Sequence, residues 1–249
     1  MVSGKYSALS GAIAREQAIG NVSNNLANIS TTGYRRSQVS FEAILRGERQ
    51  TKEAAGINYS RVSRNFSDFS EGPMRQTEDP LNFAISGDGF FKIQGAKGPL
   101  YTRRGDFKVN ATGVLTTSTN LPILDEGNSQ ITIPDTNVNK ISVADDGTIS
   151  LIDPKGTRSE VGKMAIVAIN DKKKLTRESD TAFALAAGGA EQPTENIRVV
   201  QGSLELANIN MSSELTQMID NYRTFETYHK VLKSYVTIGD TQDELGTLA

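Results

Sequence analysis

The sequence predicts an α+β fold, with N- and C-terminal helices forming a coiled-coil-like axial core and a central antiparallel β-domain. Three observations carry this. An apolar-striped segment near the start runs into a polar exit, Ser23-Asn24-Asn25-Leu26-Ala27-Asn28-Ile29-Ser30-Thr31-Thr32-Gly33-Tyr34. A heptad-spaced apolar run lies toward the other end, and short β-prone runs broken by turn residues fill the middle. The expected layout is a helix and turn over 1–36, an extended connector over 37–80, a β-domain over 81–190, a return linker over 191–203 and a helix region over 204–249.

The first helix is expected from about residue 4 to Ile29. Read with a period of seven, Ala8, Val22 and Ile29 share one position and Ala12, Ile19 and Leu26 another, a seam that a second helix fills. Tyr6, Leu9 and Ile13 lie off that seam and suggest a second neighbour. Gly4, Gly11 and Gly20 each cost about 1 kcal/mol relative to Ala, so the helix is not expected to stand alone. Asn21, Asn24, Asn25 and Asn28 have amides that compete with the backbone, a composition suited to a frayed helix end or an inter-subunit contact. Gly33 fits a left-handed residue just past the helix.

Residues 37–80 are rich in Arg, Ser, Glu and Gln, with Phe41, Ile44, Leu45, Ile57, Phe66 and Phe69 as sparse anchors, and read as an extended arm. Strand-like runs follow at Phe83-Ile85, Phe90-Ile93, Leu100-Thr102, Phe107-Val109, Val114-Thr116 and Leu121-Leu124. More follow at Ile131-Ile133, Ile141-Val143, Thr148-Leu151 and Met164-Ile169. Gly87-Asp88-Gly89 reads as a hairpin turn, because a strand follows where a phosphate loop needs a helix. Asp145-Asp146-Gly147 reads as a tight turn, lacking the alternating oxygen ligands of a calcium loop. Gln192-Pro193-Thr194-Glu195-Asn196 punctuates the return.

The second helix opens with Asn210, Ser212 or Ser213 as N-cap and Glu214 in the first turn. Met211, Leu215, Met218, Tyr222, Phe225, His229, Leu232 and Val236 alternate by four and three, an unbroken heptad seam. A second stripe of Tyr228, Val231, Tyr235 and Ile238 widens the apolar arc to roughly 150°, more than one partner helix covers. The two helices are expected to bury each other's seams and to leave stripes over for neighbouring subunits. Such a head-to-tail contact closes a ring or propagates a filament. The plainer reading is a two-helix pair without polymerisation.

Composition narrows the function. The charges nearly cancel, 27 Lys+Arg against 29 Asp+Glu, which gives no footing for nucleic-acid binding. The tight basic pairs Arg35-Arg36 and Arg103-Arg104 lack interleaved aromatics and read as solvated or inter-subunit salt contacts. No apolar run reaches membrane-spanning length, and none resembles a cleavable signal core. With no Cys and one His, thiol chemistry and multi-His metal sites are excluded. His229 reads as a packed imidazole rather than a base, and no Trp offers a sugar platform. Neither an enzyme nor a cofactor, metal or small-molecule substrate is expected.

The opening run resembles the N-terminal signature of the bacterial flagellar rod and hook family. Family-like strings recur at Asn82-Phe83-Ala84-Ile85-Ser86-Gly87-Asp88-Gly89-Phe90-Phe91 and Gln201-Gly202-Ser203-Leu204-Glu205-Leu206-Ala207-Asn208-Ile209-Asn210. Family members often carry Asp where Asn82 stands. The resemblance implies a proximal-rod subunit of the F type, assembling with itself and other rod subunits into a helical shaft that transmits torque through the periplasm. It also implies passage through the flagellar type III export apparatus without a cleaved signal peptide. Leu9, Ile13, Ile19, Val22, Leu26 and Ile29 of the first helix and the heptad seam of the second are then the self-assembly residues, with the Tyr228 stripe beside them. A distal rod or hook subunit is the alternative within the family, although hook subunits carry extra outer domains. A monomeric β-domain binding module is the alternative outside it.

Overall fold

A computed structural model describes residues 2–45, 58–134, 141–152, 157–194 and 197–247. The chain divides into two compact units, one of residues 1–27, 37–68 and 209–249 and the other of residues 28–36 and 69–208. Of the residues singled out from sequence, Ile57, Glu195 and Asn196 lie outside the described ones.

The first unit holds two long helices, α1 (Val2–Ala27) and α2 (Met211–Thr247), with a hairpin of β1 (Ser37–Leu45) and β2 (Asn58–Ser67). Asn210 caps α2: its Oδ1 accepts the Ser213 amide at 3.1 Å, and its carbonyl accepts the Glu214 amide at 3.0 Å. That cap is one of the three the sequence offered. The hairpin is antiparallel from Ser37 opposite Ser67 to Leu45 opposite Asn58, with a register shift at Ser40/Phe41. The arm expected over 37–80 therefore begins as a paired ribbon. Its alternating polar residues escaped a strand reading because a two-stranded ribbon has little apolar face to show.

The second unit is antiparallel β throughout its described strands. Its largest sheet runs β13-β14-β6-β5-β12-β15, formed by Leu175–Arg177, Ala182–Leu185, Gly98–Thr102, Phe90–Gly95, Ile166–Ile169 and Glu191–Pro193. A three-stranded sheet joins β9 (Ile141–Val143), β10 (Thr148–Ile152) and β11 (Arg158–Lys163). Three pairs complete it: β3 (Met74–Gln76) with β17 (Ser203–Glu205), β4 (Phe83–Ser86) with β16 (Arg198–Gln201), and β7 (Phe107–Val109) with β8 (Leu115–Thr117). The core clusters Phe83, Ile85, Phe91, Ile93, Phe107, Leu115, Ile123 and Ile149. Phe90 turns to the other face of β5, beside Tyr101 and Ile169, so this central strand is apolar on both sides.

Two expectations change. Gly87-Asp88-Gly89 is not a hairpin turn: β4 pairs with β16 and β5 with β6, so the turn carries the chain from one sheet to another. Leu121-Leu124 and Ile131-Ile133 are not strands but make isolated bridges, Ile93 to Ile123 and Val114 to Thr132 among them. Asp145-Asp146-Gly147 does close a β9–β10 hairpin, with Gly147 at φ 86°.

Candidate assembly site

Within the first unit, α1 and α2 run antiparallel along a ridge of small residues. A Cβ on Gly4 would meet the Tyr235 hydroxyl, and one on Gly11 would fall 2.5 Å from the Tyr228 ring. Arg15 donates to the Asn221 side-chain oxygen at 2.9 Å and lies over the Phe41 ring. Asn25 ends the ridge: its Nδ2 donates to Glu214 at 3.1 Å and to the Ser37 carbonyl, while its Oδ1 accepts the Ser37 amide. Asn25 and Glu214 are both fully buried, so each polar group needs its partner. Gly4, Ala8, Gly11, Arg15, Ala18, Val22 and Asn25 thus share one face. Glu214, Met218, Asn221, Phe225, Tyr228, Leu232 and Tyr235 share the other, both stepping by four and three.

Each of the two expected stripes is divided between the face toward α1 and the exposed face. Tyr228 and Tyr235 face α1, whereas Met211, Leu215, Tyr222 and Val236 are 42–56% exposed together with Ile219. His229 is also exposed, its ring edge-on to Phe225 at 4.6 Å. Met218, Phe225 and Leu232 are half-buried. Val231 and Ile238 of the second stripe are exposed. On α1, Val22 is buried, Ile19 and Leu26 are half-buried, and Leu9 and Ile13 stand exposed beside Tyr6; the helix ends at Ala27, so Ile29, half-buried, lies in the turn beyond it rather than on the helix as expected. The sequence reading missed the ridge because glycines carried its close approaches and polar residues occupied two of its heptad positions. Asn25 also departs from the inter-subunit expectation for the asparagines, spending its amide inside the chain.

The second unit holds the rest of the opening signature in a clasp. Gly33, at φ 68°, donates to the Glu205 carbonyl at 2.8 Å and sits where a Cβ would strike the Arg104 backbone. Tyr34 is buried against the Arg177 guanidinium, which also lies over Phe183 and donates to the Arg35 carbonyl. Arg35 and Arg103 are buried on either side of Glu205, at 2.7 and 3.2 Å, and Glu205 also accepts the Gly72 amide at 2.8 Å. Arg35 donates further to the Ser70 carbonyl, and Arg103 to the carbonyls of Ile85 and Gly87. Burial pulls the Arg103 guanidinium below its ordinary range, Glu205 opposes that and Arg35 adds to it. Both basic pairs were expected at the surface. Their buried members instead share one carboxylate, and Arg104 forks onto Asp106.

Among the described residues no group of three or more His, Asp and Glu side chains could hold a metal ion, and no helix is long and apolar enough to cross a membrane.

Three family descriptions match the chain. "Flagella basal body rod protein" covers residues 6–35, "Flagellar hook protein FlgE/F/G D1 domain" 84–151, and "Flagellar basal body rod FlgEFG protein C-terminal" 200–241. The first ends on Arg35 and the last contains Glu205, the two ends of the clasp. Among curated relatives, the flagellar basal-body rod protein FlgF of Caulobacter vibrioides is 32% identical over 236 residues, covering 91% of each chain. FlgF of Salmonella typhimurium is 32% identical, covering 88% of this chain and 87% of the relative. FlgG of Bacillus subtilis is 28% identical, covering 93% and 94%. Likeness of this extent, with motifs at both ends that meet in one clasp, shows that the chain belongs to the flagellar basal-body rod family as a structural subunit.

Proposed function

We propose that this rod subunit assembles with copies of itself and with other rod components through the exposed stripes of its terminal helices. The observation that carries the proposal is the aliphatic and aromatic stripe Met211, Leu215, Ile219, Tyr222 and Val236, standing beside a helix face already filled by α1. A second such stripe, Tyr6, Leu9 and Ile13, lies on α1. Contiguous apolar surface of this kind marks an association site, and two different patches on one chain form a heterologous contact that propagates. Ile19 and Leu26, half-buried on α1, extend it, as do Val231 and Ile238 on α2.

In this reading the four-and-three spacing of both ridges supports a coiled-coil-like axial core. The helices α1 and α2 form that core, the β1–β2 ribbon belongs with them, and residues 28–36 and 69–208 make up the β unit. The polymer serves as a torque-transmitting shaft in the periplasm, supplied by the flagellar export apparatus, and the subunit performs no catalysis. The F type is supported by the two relatives at 32% identity, both FlgF, while other FlgF and FlgG relatives overlap at 27–29%.

The test is to replace Leu215 and Tyr222 by Ser in the full chain. Both are exposed, so thermal unfolding of the monomer should shift little, while concentration-dependent polymers in sedimentation should be lost. Polymers that persist unchanged would overturn the stripe assignment. Absence of the protein from purified basal bodies would overturn the shaft role.

A further inference from the structure

Glu205 joins more separate segments than any ordinary surface ion pair. Its carboxylate meets Arg35, Arg103 and the Gly72 amide, and its carbonyl meets the Gly33 amide. Its strand, β17, pairs with β3 through Ser203 opposite Gln76 and Glu205 opposite Met74. On either side, Leu206 donates to the Pro73 carbonyl at 2.9 Å and Gly202 to the Asn82 carbonyl at 2.8 Å.

The charges inside this clasp are unbalanced, two guanidiniums to one carboxylate, all three side chains at most 1% exposed. Arginine does not discharge by losing its proton. Among the described residues, Arg35 Nε and Arg103 Nε have no hydrogen-bond partner, so Glu205 carries the compensation. Glu71, the other carboxylate that acts on Arg103, is exposed and accepts the Gly87 amide. Without β17 in place, closing the β unit would bury two like charges side by side with no carboxylate between them.

We infer that Glu205 acts as a completion check on the β unit: the sheets around Arg35 and Arg103 close only when the segment 203–208, which leads into α2, has docked. The device follows from the clasp geometry and stands whether or not the assembly reading holds.

Refolding of the full chain, followed by pulse-labelled hydrogen exchange, tests this. In the native sequence the amides of Lys92, Phe83 and Leu115 should gain protection in the same phase as those of Gly202 and Leu206. Glu205→Gln should slow that phase by at least about tenfold or abolish it. The triple variant Glu205→Gln, Arg35→Met, Arg103→Met removes the three fully buried charges around Glu205, and should regain protection, with the Lys92 and Phe83 amides now free to precede Leu206. Two outcomes overturn the inference. One is protection of the central amides ahead of Leu206 in the native sequence. The other is a triple variant that refolds no better than Glu205→Gln, which would mean that only the contacts of Glu205 matter, not the charge it balances.

Discussion

Gly11 of α1 faces Tyr228 of α2 with no room for a methyl group: a Cβ there would lie 2.5 Å from the ring carbon that bears the hydroxyl. Gly20, nine residues on in the same helix, has no atom within 4 Å of its Cβ position. One residue type thus serves two purposes in one helix, and the difference is measurable. Gly20→Ala should stabilise the protein by up to about 1 kcal/mol through helix propensity. Gly11→Ala should instead cost about 1–3 kcal/mol as the tyrosine is forced from its seat. Thermal unfolding by circular dichroism reads both, and equal shifts would remove the notch from the account of the helix pair.

Asn25 satisfies the Ser37 backbone in both directions while holding Glu214. Asn25→Ala should cost about 2–4 kcal/mol, since buried groups of Ser37 and Glu214 lose their partners together. Asn25→Asp should be no milder at neutral pH, because it replaces the amide donor by a second carboxylate oxygen facing Glu214. Denaturant titration of the purified variants decides. A loss below about 0.5 kcal/mol would show that water replaces the amide without penalty.

Gly33 combines φ 68° with a Cβ position 2.3 Å from the Arg104 amide nitrogen. Gly33→Ala should therefore cost well over the roughly 1 kcal/mol of a left-handed alanine alone. Gly188, at φ 81° with only the end of the Lys174 side chain near its Cβ position, at 3.4 Å, has no such backbone neighbour. The comparison of Gly33→Ala with Gly188→Ala separates backbone conformation from collision, and equal losses would speak against the collision.

Lys92, Tyr101 and Glu191 give the β unit a pH signature. Burial raises the Glu191 carboxyl, but hydrogen bonds from Lys92 and Tyr101 and the Lys92 charge outweigh it, leaving it below the ordinary 4.5. A folded value below the unfolded one makes this contribution present above about pH 4.5 and lost as pH falls through the folded value. Tyr101 moves upward from 10.0, through burial first and then the hydrogen bond and charge of Glu191. Its contribution is present below pH 10 and lost as pH rises beyond it. Glu191→Gln should flatten the acid limb of the stability curve and bring the Tyr101 phenol back toward its ordinary titration, read by ultraviolet absorbance. An unchanged acid limb would remove Glu191 from the account.

Much of the fold was legible because its signals are local. Asn210 announces the start of α2 by its own side chain, and β4, β5 and β7 announce themselves by Phe83, Phe90-Phe91 and Phe107. The polar strand β11, Arg158–Lys163, shows no such signal; its residues are exposed or half-buried, so nothing apolar marks it. The helix ridge was legible only in half. Met218, Phe225 and Leu232 belong to both the expected seam and the observed one, but Glu214 and Asn221 stand at heptad positions that an apolar pattern passes over. Arg35 and Arg103 looked solvated because their shared carboxylate is far away in sequence; pairing at that distance is a property of topology, not of composition.

The clasp sets the lines along which this chain can be exchanged with a relative. Arg35, Arg103 and Glu205 come from three regions of the sequence but form one buried unit, so a change in one is tolerated only as the others change with it. Chimaeras cut at residue 36 or at residue 203 would take Arg35 and Glu205 from different parents. A graft that carries residues 28–36 and 203–208 along with the β unit keeps the lock and its key from the same parent.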